Sequence, residues 1–218
     1  MEDDKNTLDF RLQPYFSMVL TGPSGSGKTS LVIQLIRNRE QYINGPTSRV
    51  IFCYHYLQPE IVQLKREDPN IILTDSITEA KELAIKDSLL ILDDKQNEFQ
   101  QKSVLNEVTE IFVRGVKHAE YNCCVLVQSL FHESLRVIMN NVNYLLVFNS
   151  PRNKQGISYL ARQMSPDNYK YVLEAFRHAC FDKPYCYLFI DYTMKTPERW
   201  RIRSSLYPDK ETVIYSSE

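Results

Sequence analysis

At 218 residues, with 43% hydrophobic side chains, the chain suits one α/β domain with a sizeable core. A formal charge of −1 excludes a protein that grips nucleic acid along one broad basic face and confines such contact to a few local residues. A mean hydropathy of −0.36, and no apolar run near the roughly 20 residues of a membrane span, exclude a membrane-spanning chain.

Residues 1–10, with Glu2, Asp3 and Asp4, read as a loose acidic lead-in rather than a signal or transit peptide. A first strand is expected at 16–20 and a helix at 29–39, where Leu31, Val32, Leu35 and Ile36 recur at helical spacing. Between them runs Gly22-Pro23-Ser24-Gly25-Ser26-Gly27-Lys28-Thr29-Ser30, the Gly-x4-Gly-Lys-Thr spacing of a phosphate-binding P-loop. Glycines let backbone N–H groups wrap a phosphate with no Cβ in the way, and the following helix turns its positive end toward it. Lys28 is the point charge for the β- and γ-phosphates, and Thr29 supplies a hydroxyl for Mg²⁺. These features predict a site for a nucleoside triphosphate, with ATP and Mg²⁺ the expected occupants.

Further along, strands are expected at 50–56, 88–93, 123–128 and 144–148, with a minor edge strand at 71–74. Helices are expected at 60–67, 79–85, 104–118, 133–140 and 154–164, and another opens at Ser165-Pro166-Asp167 and runs through Phe176. Such alternation predicts an α/β fold, a mostly parallel sheet flanked by helices. Stretches 185–192 and 199–207 read as two more strands, so that residues 183–207 form a C-terminal β-hairpin extending the sheet. Arg199, Arg201 and Arg203 alternate along the second of these, as a solvated or interface-facing side or else a DNA-contact stripe. The whole of 1–218 is expected to be one P-loop domain. Cys53, Cys123, Cys124, Cys180 and Cys186 show no Cys-x-x-Cys spacing and read as reduced thiols of an intracellular protein. The tyrosines at 159, 169, 171, 185, 187 and 192 read as packing residues.

Leu89-Leu90-Ile91-Leu92-Asp93-Asp94 is an apolar run ending in two carboxylates, the signature of a buried parallel strand with a functional tip. Ligands sit at the carboxyl ends of strands in open α/β sheets, so both groups are expected beside the P-loop. Asp93 is the expected Mg²⁺ partner in the Walker B position, and Asp94 the group that orients or deprotonates the attacking water. Gln128, at the end of the following strand, can donate and accept, and is the candidate sensor of the γ-phosphate.

Taken together, GPSGSGKT at 22–29, LLILDD at 89–94, FVRGVKHAEYN at 112–122, VLVQSLFH at 125–132, NYLLVFNSPRNKQGISYLARQM at 143–164 and KPYCYLFIDY at 183–192 resemble the FtsK/HerA superfamily of P-loop NTPases. Within it the chain looks most like genome-packaging ATPases of Polinton/Maverick elements, adintovirus-like viruses and large-DNA-virus relatives, the poxvirus packaging ATPase among them. The resemblance implies a homo-oligomeric ring that threads double-stranded DNA into a preformed capsid or portal-type vertex, with no membrane involved. It implies work in a host nucleus or cytoplasmic viral factory, and association with the virion. An arginine finger reaching in from a neighbouring subunit is implied as well. Arg114 is its first candidate, with Gly115 expected to let the backbone break beside it; Arg152 is the second, with service in cis as its alternative role. The polar loop 95–102 is a weaker candidate for a channel-facing DNA contact through lysine. The competing readings are a helicase or recombination motor of the same superfamily, a nucleotide kinase, and a nucleotide-gated assembly protein that hardly turns ATP over.

Overall fold

The computed structural model describes residues 9–130, 135–151, 154–181, 183–207 and 211–216. Nine strands among them form one sheet: β1 (Ser17–Thr21), β2 (Arg49–Tyr54), β3 (Ile71–Thr74), β4 (Ser88–Asp93), β5 (Asn122–Val127), β6 (Tyr144–Phe148), β7 (Tyr187–Asp191), β8 (Ile202–Arg203) and β9 (Ile214–Tyr215). Their order is β3-β2-β4-β5-β1-β6-β7-β8-β9. Strands β1 to β6 pair in parallel, and β7 to β9 add an antiparallel edge beside β6.

The central strands are buried on both faces, which is why they read as near-continuous apolar runs rather than alternating ones. Alternation survives in which layer each residue joins. Met18, Leu20, Leu89 and Ile91 pack with α1 (Lys28–Arg37), α2 (Arg39–Tyr42) and α3 (Pro59–Glu67). Val19, Leu90 and Leu92 face the other layer. That layer is α4 (Ile77–Leu83), α5 (Lys102–Glu110), α6 (Val116–His118), α7 (Arg136–Met139), α8 (Lys154–Met164) and α9 (Tyr169–Ala179). The odd-numbered side of β4 thus points at α1, and Asp93 follows Leu89 and Ile91 onto it.

Four expectations are corrected. The helix expected over 104–118 is α5, a π-helical turn at Ile111–Gly115, then α6. Gly115 keeps ordinary helical angles (φ −61°, ψ −51°) and does not break the backbone. It is glycine because the Tyr121 hydroxyl occupies the place a Cβ would take. The second hairpin strand, expected over 199–207, shrinks to the two residues of β8, preceded by a 3-10 turn at Glu198–Trp200. The arginines around it form no stripe. Arg199 stacks on Trp200. Arg201 pairs with Glu198 and donates to the Asp191 carbonyl. Arg203 is buried, 3.3 Å from the Asp191 carboxylate and stacked on Phe189. The helix expected at 133–140 lies partly outside the described residues, which begin again at Leu135 and enter α7.

Candidate active site

β1 ends at Thr21, and the chain turns through the glycine loop into α1. Gly25 and Gly27 hold φ of 76° and 98°, the left-handed region that suits residues without a Cβ. Gly22 is constrained by space instead, since a Cβ there would stand 2.6 Å from the Phe148 Cβ. Ser26 N donates to the Pro23 carbonyl and closes the turn. The first N–H groups of α1 have no partner within the helix, and no acidic residue in its first turn neutralises them. Pro23 and Ser26 to Thr29 are partly exposed, and Ser24, Gly25 and Ser30 are open to solvent.

Lys28 Nζ bridges the loop, donating to the carbonyls of Gly22 (2.6 Å) and Pro23 (3.0 Å). Burial pushes its pKa down, while Asp93 and Asp94 pull it back up. Thr29 Oγ1 donates to Asp93 Oδ2 at 3.2 Å. Asp93 is only 5% exposed, and burial lifts its carboxyl to a pKa of about 6 against the lowering effects of Thr29 and Lys28.

β5 lies between β4 and β1, with Asp93 opposite Leu126 and Thr21 opposite Val127. The three strand ends therefore finish in one row, and Gln128 emerges between the glycine loop and the carboxylates. Asp94, the first residue past β4, takes a left-handed backbone (φ 53°), which aspartate tolerates better than most residues. Its Oδ1 accepts from Gln128 Nε2 at 3.0 Å. Asp94 is half-buried and Gln128 exposed, so the pair faces solvent at the rim. Lys28, Thr29, Asp93, Asp94 and Gln128 are thus brought together.

Two residues that the sequence did not single out fix this corner. Gln96 Oε1 accepts from Gln128 N (2.9 Å) and Ser129 N (3.4 Å), and its Nε2 donates to the Ser129 carbonyl (3.3 Å). Lys95 is almost fully buried, donating to the Asp75 carbonyl (2.6 Å) and to Glu98 Oε1 (2.7 Å). Lys95 is thereby removed as the lysine of loop 95–102 that could face a channel, and Lys102 is the exposed one. Lys95 anchors the loop that carries Asp94, and a buried lysine inside a polar run leaves no sequence signal.

Arg114 is exposed in the π-helical turn, about 18 Å along the helical segment from Lys102 at 1.5 Å per residue. Among the described residues, no hydrogen bond or ion pair joins it to Lys28, Asp93, Asp94 or Gln128. Arg152 lies outside the described residues. A cavity of about 610 Å³ opens on the α8–α9 side and reaches Thr21, Gly22 and Gln128.

The residues present fit a magnesium–triphosphate. A left-handed glycine cradle, unneutralised N–H groups and a hydroxyl–carboxylate pair converge there. The buried Ser26 Oγ in the loop also has no hydrogen-bond partner among the described residues.

No family model matches the sequence, and no curated protein matches it. Solved structures do. The chain is similar to the genome-packaging NTPase B204 from Sulfolobus turreted icosahedral virus 2 in complex with AMP, with a TM-score of 0.57 and 16% identity over 96% of this chain and 98% of that one. The same viral protein in complex with ATP-gammaS gives a TM-score of 0.55 and 14% identity over the same shares. The cytoplasmic domain of the Thermomonospora curvata Type VII secretion ATPase EccC gives a TM-score of 0.55 and 10% identity, over 87% of this chain and 26% of that one. The fold is therefore that of the P-loop ATPases.

Proposed function

We propose that the chain is an ATPase of the genome-packaging kind, working as a homo-oligomeric ring that drives double-stranded DNA into a preformed capsid. One observation carries the reading: Lys28, Thr29, Asp93, Asp94 and Gln128 meet at one rim of the sheet around a glycine loop shaped for phosphate. The similarity to a packaging NTPase across almost its entire length supports the packaging role, and the quoted motifs favour the Polinton and adintovirus branch.

In this reading the loop and the α1 N-terminus hold the β- and γ-phosphates, and Lys28 leaves its carbonyl partners to neutralise them. Magnesium, when bound, screens the phosphate oxygens; Thr29 and Asp93 are the residues that would hold it. Asp94 positions a water in line with the γ-phosphorus and takes its proton as the new P–O bond forms and the bond to ADP breaks. Gln128, tied to Asp94 on one side and fixed through Gln96 on the other, orients that water and registers loss of the phosphate. Arg114, exposed on its π-helical turn, is the residue this reading assigns as the trans finger in a neighbour's site.

The carboxylate–amide pair favours hydrolysis over kinase chemistry, because both groups face a position suited to water. The test is phosphate release by purified protein, with and without double-stranded DNA, alongside its molar mass by light scattering. The reading expects an oligomer whose turnover rises several-fold with DNA. It also expects inactive Arg114→Ala and Asp94→Asn subunits to regain activity when mixed. A monomer that releases no phosphate and instead transfers the γ-phosphoryl group to a supplied nucleoside, leaving ADP, would overturn it.

A further inference from the structure

Asp93, Asp94 and Gln128 all stand on the β4–β5 side of β1. A triphosphate with its terminal phosphate at those groups must send its nucleoside the other way, over β6 and β7. Because β7 runs antiparallel, with Tyr187 beside Phe148, the turn that precedes it lies at the same rim as the glycine loop. There a cleft of about 310 Å³ opens between Pro23–Ser26 on one wall and Asn149, Lys183 and Tyr185 on the other.

Tyr185 is the unusual member. It is 71% exposed, although the sequence reads it as a packing residue. Its backbone is left-handed (φ 57°), a conformation that a bulky side chain adopts only when its surroundings impose it. Its inner edge abuts the phosphate loop: a Cβ on Gly27 would lie 3.2 Å from both Tyr185 Cβ and Cδ1. The ring is thus held at a fixed distance from the α1 N-terminus with much of its surface in solvent. Asn149, exposed on the same wall, carries an amide that can both donate and accept.

We propose that this cleft is the nucleobase site, with the Tyr185 ring as the platform on which the base stacks and Asn149 at its polar edge. The proposal rests on the reading of the glycine loop as a triphosphate site. Lys183 adds a cation beside the path of the α-phosphate and ribose. Stacking is tolerant of base identity, so the site predicts use of several nucleoside triphosphates with a preference for purines, whose larger π-face covers more of the ring.

The experiment is equilibrium binding of ATP and of inorganic tripolyphosphate, each with Mg²⁺, to the full chain and its Tyr185→Ala, Tyr185→Phe and Phe181→Ala variants. Tyr185→Ala should weaken ATP about tenfold, in the range expected for loss of one base–aromatic stack, and leave tripolyphosphate within about twofold, inside the usual spread for an untouched contact. Tyr185→Phe should bind ATP like the parent. Phe181, exposed in the larger cavity on the α8–α9 side, should be neutral. Unchanged ATP binding in Tyr185→Ala, equal losses for both ligands, or a loss confined to Phe181→Ala would each overturn the assignment. Tripolyphosphate bound by the parent alongside any of these leaves the phosphate-site reading standing. A parent that binds neither ligand overturns both.

Discussion

Asp93 is the residue where stability and function pull apart. Its folded pKa of about 6 lies above the ordinary 3.8, chiefly because burial disfavours the charged form. A carboxyl whose folded pKa is raised contributes stability that is complete below about pH 4 and is lost as the pH climbs through about 6. At neutral pH the ionised group costs the metal-free protein about 3 kcal/mol, from a shift of about two units at 1.36 kcal/mol each. Asp93→Asn should therefore resist urea better than the parent at pH 7.5 in chelator, and the parent's decline between pH 4 and 6 should flatten. A variant no more stable than its parent would show that Thr29 and Lys28 already offset the burial. The glycine loop, Asp93, Asp94 and Gln128 were legible in the sequence because each sits where an apolar strand ends, a local signal. Gln96, Lys95 and the left-handed backbone of Asp94 were not. Their roles depend on the 128–129 backbone, the Asp75 carbonyl and the turn after β4, contacts that span 20 to 33 positions or leave no residue-type mark.

From α5 toward β5, the sequence shows an uninterrupted helical pattern through Val104, Val108, Ile111, Phe112 and Val116, and one helix is the natural reading. The π-helical turn is hidden because it keeps apolar residues facing the sheet while slipping the register. Ile111, Phe112 and Val116 are all buried, and Arg114 is left outside. Gly115 fits by size: the Tyr121 hydroxyl, donating to the Ile111 carbonyl at 3.4 Å, occupies its missing side chain's volume. Gly115→Ala should destabilise the fold by about 1–3 kcal/mol, the usual cost of overpacking a closed site, despite alanine's better helix propensity. An unchanged urea midpoint would mean that Tyr121 swings away freely. The hairpin edge was legible for β7, which is fully buried and apolar, and illegible for β8. There, alternating arginines imitated a strand, while Asp191 had drawn Arg203 inward. β9 is two residues long and gives no pattern to read.

Across the whole molecule, alternating strand and helix signals predicted the parallel sheet, but periodicity carries no information on which strands are neighbours. The order matters most for chemistry. Inserting β5 between the loop strand and the acidic strand gives Gln128 its place between the glycine loop and the carboxylates. In the proposed reading it also sets the direction of the nucleotide, from Asp94 at the terminal phosphate toward Tyr185 at the base. The antiparallel edge then closes the nucleoside side, and Arg114 faces outward at the far end of its helix. Asp94 is the group proposed to activate water beside a bound triphosphate. Phosphate release by Asp94→Asn against the parent, with ATP affinity measured on the same samples, tests this most directly. Retained affinity with turnover down about 10²-fold or more, the scale of a lost general base, is the predicted result. Equal turnover in the two proteins would contradict it.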